Sequence, residues 1–264
     1  MDTSLTDVFK RTIKALSFSI LIGLLSVAGC VSFGGGSDPG QANQQHIKLA
    51  LNYIASNNRD LARVHLQKAS EFNSRSAALD NGYALLYQSE QEFELAERHY
   101  RKALKTDKHY TLARYNFAAF LFNQGRMQEA REQMQTVTED LAYERRAQAF
   151  YILGLSAVQL GDSESGLESF EKATQLSPGF APPYIQAAEI YFQQQRYPLS
   201  KLALDHFRQL SAPTAQSLWL SVRIENRFGN RDNAASEGLK LKNLFPYSKE
   251  NLEYQAWLKT GKHE

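Results

Sequence analysis

The sequence predicts an all-α fold, a solenoid of six helix-turn-helix repeats. Two observations support this prediction. A pattern of two amphipathic helices joined by a turn spans 34 residues and recurs along the chain, and small residues recur in it where the paired helices must cross. Repeats of this kind bury their apolar faces by stacking on their neighbours, so they form one elongated domain.

The clearest copy of the pattern runs from Ala147 to Phe180. Its first helix carries an apolar stripe at helical spacing, formed by Phe150, Leu153, Gly154 and Ala157. Its second helix carries another stripe, formed by Gly166, Phe170 and Ala173. Gly161 interrupts the pattern between the stripes and Pro178 ends it, as expected of residues that break helices. This copy defines a 34-residue frame for the whole chain.

Five further copies of the frame lie at residues 43–76, 77–110, 111–144, 181–214 and 215–248, with Arg145 and Arg146 inserted after the third copy. Close packing leaves room only for small side chains where two helices cross. On the first helix this position holds Ala50, Ala84, Ala118, Gly154, Ala188 and Val222. On the second helix it holds Ala62, Ala96, Ala130, Gly166, Ser200 and Ala234. Eleven of the twelve residues are Gly, Ala or Ser, which fixes the register of six repeats.

Larger residues surround these crossings, and over residues 43–248 the pattern resembles the tetratricopeptide repeat (TPR). The resemblance implies a right-handed superhelical solenoid of six TPR repeats, which we place at residues 46–248. The sixth copy is the weakest, because Ser221 and Gly238 stand at positions of large residues. After it, residues 249–264 predict a C-terminal capping helix, with Tyr254 and Trp257 covering the open face of the sixth repeat.

Residues 1–29 predict a lipoprotein signal peptide. Three basic residues precede an apolar run of 14 residues from Ala15 to Ala28, and Gly29 precedes the only cysteine, Cys30. A helix needs about 20 apolar residues to span a bilayer, whereas a shorter run after a basic start is typical of an export signal. The ending Val27-Ala28-Gly29-Cys30 resembles the lipobox of bacterial lipoproteins, which implies that Cys30 is lipidated.

The residue after Cys30 is Val31 and not Asp. By resemblance to lipoprotein sorting in Gram-negative bacteria, this implies an anchor in the outer membrane, on its periplasmic face. Residues 30–45 contain three consecutive glycines, Ser37, Pro39 and Gly40, without apolar periodicity. They predict a flexible tether between the lipid and the repeats, with an end-to-end distance on the order of 20 Å.

In this fold the first helices of the repeats line the concave face, and their exposed stripe is apolar through its middle. We predict a partner-binding groove there, formed by Tyr115, Phe122, Tyr151, Leu155, Val158, Ile185, Phe192 and Trp219. Large aromatic side chains on such a wall are typical anchors for a protein partner. Alternatively, the curvature of the solenoid and the neighbouring repeats bury the smaller residues, such as Leu155 and Val158. An apolar strand or helix is the expected ligand, because apolar residues replace the Lys, Asn and Arg of TPR domains that hold a peptide carboxylate.

Several classes of function are not supported. The formal net charge of +2 provides no field for binding nucleic acid. The six histidines lack metal-ligand spacing, and no catalytic constellation is present, so we predict no enzyme, metal or cofactor. Two rival functions stay open: a periplasmic scaffold that docks peptidoglycan hydrolases or the outer-membrane barrel assembly machinery, and a periplasmic enzyme with an undetected site.

Three stretches carry a more specific resemblance. They are Tyr115-Asn116 with Phe120-Leu121, the segment from Leu141 to Arg145, and the segment from Arg231 to Ser248. They resemble the type IV pilus biogenesis and stability lipoproteins of the PilF/PilW family. The resemblance implies a monomeric pilotin, a lipoprotein that binds secretin subunits and promotes their outer-membrane localisation and assembly, and so permits pilus extrusion and twitching motility.

Overall fold

The structure is a computed structural model that describes residues 38–260. Within this range the chain forms thirteen α-helices and no strand. The predicted signal peptide, Cys30, residues 30–37 of the predicted tether and the last four residues of the predicted cap lie outside the described residues.

The first three repeats consist of α1 (Pro39–Ala55) with α2 (Arg59–Phe72), α3 (Ala77–Ser89) with α4 (Phe93–Thr106), and α5 (Thr111–Asn123) with α6 (Met127–Glu139). The next three consist of α7 (Arg146–Gln159) with α8 (Ser163–Leu176), α9 (Pro182–Gln193) with α10 (Tyr197–Leu210), and α11 (Ala215–Arg227) with α12 (Arg231–Leu244). The last helix is α13 (Lys249–Thr260). The six helix pairs confirm the predicted fold class.

Each helix pair packs tightly, and each second helix also packs on the first helix of the next repeat. First helices contact each other between repeats as well, for example α1 with α3, α3 with α5, and α9 with α11. We call the first helices the inner layer and the second helices the outer layer. This arrangement separates two surfaces, one on each layer.

The close crossings lie where the register predicts them, because all twelve residues at these frame positions are buried. In the fourth repeat both crossing residues are glycines, Gly154 and Gly166. A Cβ atom on Gly154 would lie 2.6 Å from Phe170 Cε1 and 3.0 Å from the carbonyl oxygen of Gly166. No residue larger than glycine fits there without a shift of its neighbours.

The turn between the two helices of every repeat uses one residue with a positive φ. In the third, fourth and sixth repeats this residue is Gly125, Gly161 and Gly229, respectively, with φ of 76°, 84° and 75°. In the other three repeats Asn57, Gln91 and Gln195 take the same frame position, with φ of 58°, 64° and 59°. Left-handed backbone is costly for residues with a Cβ atom, so the frame imposes this conformation even where the sequence does not favour it.

The predicted tether is wrong for residues 39–45, because α1 begins at Pro39. Asn43 is only 4% exposed, and its Nδ2 donates to the carbonyl oxygens of Ala69 at 2.7 Å and Asn73 at 3.3 Å. These bonds attach the start of α1 to the end of α2. A proline at the first position of a helix is compatible with this start, because its missing N–H would have no partner there.

The hydrophobic core is divided along the array. One cluster joins repeats 1 and 2 around Leu66 and Leu86, and the next joins repeats 2 and 3 around Tyr100 and Phe120. Further clusters join each later pair of repeats, and a last one joins the sixth repeat to α13. Each cluster therefore draws on residues that are close in sequence.

Candidate partner-binding groove

All eight predicted groove residues lie on the inner layer, on α5, α7, α9 and α11. They differ in accessibility. Tyr115, Ile185 and Trp219 are 6%, 5% and 8% exposed, whereas the other five are partly exposed. The groove prediction is therefore wrong for these three residues, because their side chains are buried and a partner could not reach them. Each is buried by a different part of the chain.

Tyr115 is covered by the segment that follows α6. The guanidinium carbon of Arg145 lies 4.5 Å from the centre of the Tyr115 ring, and Arg145 Nη2 donates to the Tyr115 hydroxyl at 3.3 Å. The Tyr143 ring packs beside it, with centroids 5.7 Å apart. Burial raises the pKa of the Tyr115 hydroxyl, although the charge of Arg145 opposes this shift. Tyr143 and the inserted Arg145 thus cover Tyr115 in the third repeat.

Trp219 is covered by α13. Its ring centroid lies 5.9 Å from that of Tyr254 and 6.0 Å from that of Trp257, and its Nε1 donates to Glu253 Oε2 at 3.0 Å. Ile185 is buried in the cluster that joins the fifth and sixth repeats. These two residues contribute to repeat packing and to the attachment of α13.

The remaining five residues form a partly exposed surface that we call the inner-layer stripe: Phe122, Tyr151, Leu155, Val158 and Phe192. Tyr151 packs on Phe170 and Phe180, with centroid distances of 5.8 and 5.5 Å. Leu155 and Val158 pack against the same buried cluster as Tyr151. The structure therefore brings the three residues of α7 together on one buried cluster, with Phe122 and Phe192 on the neighbouring inner-layer helices α5 and α9.

An ion pair at one end of the stripe was missed by the sequence analysis. Arg223 Nη1 and Nη2 donate to the two carboxylate oxygens of Glu189 at 2.9 and 2.6 Å. The Arg223 guanidinium carbon also lies 4.7 Å from the centre of the Phe192 ring and 5.4 Å from that of Trp219. Glu189 and Arg223 hold the same frame position in successive repeats, and this shared position is the sequence signal that could have predicted the pair. Bidentate pairing fixes Arg223 across Phe192, so this end of the stripe is polar and rigid.

The inner-layer stripe is apolar and partly exposed to solvent. Covering such aromatic and aliphatic side chains with a partner is favourable, because it removes apolar surface from water. Burial raises the pKa of the Tyr151 hydroxyl, so this side chain stays neutral. Across residues 38–260 no group of three His, Cys, Asp or Glu side chains is placed to hold a metal ion. In the same range no helix has the length and apolar character needed to cross a membrane.

Models of the tetratricopeptide repeat match residues 87–151 and 147–180. The chain is 34% identical over 248 residues to a type IV pilus assembly protein, PilF, of Pseudomonas aeruginosa, covering 92% of this chain and 97% of that protein. It is also 27% identical over 150 residues to an uncharacterized protein of Haemophilus influenzae, covering 56% of this chain and 84% of that protein.

Two solved structures extend the comparison. The structure of Pseudomonas aeruginosa PilF superposes with a TM-score of 0.78 at 33% identity, covering 83% of this chain and 98% of that chain. The crystal structure of PilW, described as a widely conserved type IV pilus biogenesis factor, superposes with a TM-score of 0.69 at 18% identity, covering 81% of this chain and 99% of that chain. The second likeness concerns the fold alone.

Proposed function

Because the chain belongs to the PilF family of TPR proteins of type IV pilus assembly, we propose that it is a pilotin. In this proposal it is an outer-membrane lipoprotein on the periplasmic face that binds secretin subunits and promotes their localisation and assembly. Pilus biogenesis and twitching motility then depend on it. It acts as an adaptor between proteins.

The observation that carries the binding part of the proposal is the inner-layer stripe. Aromatic residues in the middle of an interface supply a large share of the binding free energy when a partner excludes water from them. An unassembled ring subunit exposes apolar surface that neighbouring subunits will later bury. The stripe offers such a strand or helix a temporary apolar cover, and the Glu189–Arg223 pair marks where that cover ends.

The addressing part of the proposal rests on the sequence. Cys30 lies outside the described residues, and the lipobox pattern that precedes it supports lipidation. Stable anchoring needs more than one acyl chain, and processing of such a cysteine supplies several. In this proposal the lipid determines where the protein resides and the repeats determine what it binds.

The first test compares secretin multimers in cells with wild-type protein, a deletion or Cys30→Ser, using unheated membranes that have been fractionated. We expect multimers to vanish on deletion and to diminish or change membrane with Cys30→Ser. Normal multimers in all three strains would refute the pilotin role. Crosslinking that captures a peptidoglycan hydrolase or the barrel assembly machinery, without secretin, would then support the scaffold alternative.

The second test concerns the stripe and combines Tyr151→Ala with Phe192→Ala. The control is Phe93→Ala, since Phe93 is an exposed aromatic residue of α4 in the outer layer. We expect the double variant to lose secretin binding and the control to retain it, with equal helicity by circular dichroism. Unchanged binding by a folded double variant would show that secretin does not use the stripe.

A further inference from the structure

The first repeat leaves one end of the array open. In repeats 2–6 the first helix packs on the second helix of the preceding repeat, but no described helix precedes α1. Leu49 of α1 is accordingly 40% exposed. In the later repeats its frame position is buried or partly buried, and it holds Tyr83, Phe117, Leu153, Ala187 and Ser221. Phe117, for example, stacks on Tyr100 of the preceding second helix, with ring centroids 5.5 Å apart.

Four aromatic rings form a continuous row at this end. His46 of α1 stacks on Phe72 of α2, with centroids 5.9 Å apart, and its centroid lies 5.2 Å from that of His65. Tyr53 stacks on His65 at 5.4 Å. Phe72 is 43% exposed, and the other three rings are partly exposed. We call these four residues together with Leu49 the open end.

The second repeat shows how a preceding repeat covers such rings. Its Tyr87 and His99 hold the frame positions of Tyr53 and His65, and their centroids are also 5.4 Å apart. The guanidinium carbon of Arg63, from the first repeat, lies 5.8 Å from the centre of the Tyr87 ring. Among the described residues no repeat precedes Tyr53 and His65, so these rings are available to a surface outside the array.

Two exposed lysines border the open end. Lys48 holds the frame position of Gly82, where a Cβ atom would lie 2.7 Å from Leu66 Cδ2 of the preceding repeat, so this position points toward the open end in the first repeat. Burial lowers the pKa of the His65 imidazole, and the charge of Lys68 is among those that lower it further, which places Lys68 near the row of rings.

The charge of the first repeat favours an anionic surface. Residues 43–76 contain five Lys and Arg residues and two acidic residues, Asp60 and Glu71. Of the five, Arg63 is paired with Glu90 of the second repeat at 2.6 Å. The other four basic groups therefore exceed the two carboxylates of this repeat.

The chain length limits the distance between this end and a lipid anchor. Because α1 begins at Pro39, only residues 31–38 separate Cys30 from the first helix. Eight fully extended residues span at most about 29 Å. His46 lies seven residues into α1, about 10 Å along the helix axis from Pro39. An anchor on Cys30 thus keeps the open end close to the bilayer.

We propose that the open end lies on the bilayer that holds the anchor, with its rings and Leu49 in the interfacial layer and Lys48 and Lys68 at anionic headgroups. Aromatic rings with a polar edge are enriched at this depth, and lysines are attracted to anionic lipid. The bilayer then takes the place of a preceding repeat and fixes the orientation of the array. The inner-layer stripe, on later repeats, stays accessible to a protein partner. This inference rests on the anchor of the proposed function.

The test uses the chain from Cys30 to Glu264, which contains every described helix. Its only cysteine is coupled to a maleimide lipid in vesicles of phosphatidylethanolamine and phosphatidylglycerol, so the anchor does not depend on processing in cells. The photo-crosslinker benzoylphenylalanine replaces Leu49 or, as the control, Leu252, a 61% exposed residue of α13. We expect mass spectrometry to detect at least about fivefold more lipid adducts from position 49 than from position 252. Equal yields, or no adduct at position 49, would overturn the proposal.

Charge reversal tests the headgroup contact. Lys48→Glu with Lys68→Glu should lower the adduct yield at position 49 at least about fivefold, because each lysine near an anionic surface contributes to its attraction. Lys242→Glu with Lys259→Glu is the matched control, since these exposed lysines of α12 and α13 change the net charge equally. Circular dichroism checks that both variants keep their helicity. An unchanged yield with the first pair, or an equal decrease with both pairs, would show that the assignment is wrong.

The crosslinker at position 49 also separates this inference from the pilotin role when it is used in cells. A crosslink from this position to secretin, without lipid adducts, would overturn membrane docking and leave the pilotin role intact. Lipid adducts at position 49, together with normal secretin multimers in a deletion strain, would support membrane docking and refute the pilotin role.

Discussion

Replacing Gly154 by alanine tests the helix crossing of the fourth repeat. The new Cβ atom would lie 2.6 Å from Phe170 Cε1, 2.8 Å from Phe170 Cδ1 and 3.0 Å from the carbonyl oxygen of Gly166. Phe170 is fully buried and packs on Tyr151, so its ring has little room to retreat. Such overpacking costs about 1–3 kcal/mol, whereas the better helix propensity of alanine returns about 1 kcal/mol. The cost should lie in the upper part of that range, about 2–3 kcal/mol, because one of the three close contacts is with backbone, so we expect a net loss of about 1–2 kcal/mol.

Thermal unfolding followed by circular dichroism measures this loss. A destabilisation of this size in a domain of this length lowers Tm by about 2–8 °C. Gly179→Ala is the control, because a Cβ atom there would meet no heavy atom within 4 Å. Adding Phe170→Leu to Gly154→Ala should cost less than Phe170→Leu alone, since the smaller side chain relieves the clash. If Gly154→Ala raises Tm, the two helices of the fourth repeat do not approach as closely as described.

Three further predictions concern the turns, the ion pairs and the first helix. Gln91→Gly and Gln195→Gly should each stabilise the protein by about 0.5–1 kcal/mol in thermal melts, because glycine adopts positive φ without strain; destabilisation would contradict the turn geometry. The bond from Arg126 holds the pKa of Glu97 below its usual range, so the stability from this pair is present at neutral pH and is lost as the pH falls below about 4. Glu97→Gln should therefore reduce the decrease in the free energy of unfolding between neutral pH and about pH 4, measured by denaturant titration. An unchanged pH dependence would contradict the pairing. Asn43→Ala should cost about 1–2 kcal/mol in denaturant titrations, whereas a value near zero would mean that residues 39–45 do not pack.

The repeat register could be predicted from the sequence because helix crossings constrain residue size locally. The start of α1 could not. Residues 41–45 are mostly polar, and Pro39 and Gly40 normally mark turns, so the local pattern indicates a tether. Asn43 ties this helical segment to carbonyl oxygens at the end of α2, 26 and 30 residues away, which a local pattern does not show.

The groove was harder to predict for a related reason. An apolar stripe on a first helix shows that something covers it, but it does not show whether the cover is a partner or another part of the same chain. Tyr115 is covered by Arg145 and Trp219 by α13, and both covers come from outside the regular frame.

The division of the core into clusters has a consequence for how the chain folds. Because each cluster joins only adjacent repeats, its formation closes loops of a few tens of residues, and no contact must wait for the distant end of the chain. Such low contact order favours fast folding that can begin at one repeat and spread to the next. A chain delivered gradually, amino end first, can therefore complete the cluster around Leu66 and Leu86 while α13 has yet to arrive, and each later repeat then adds to a finished surface.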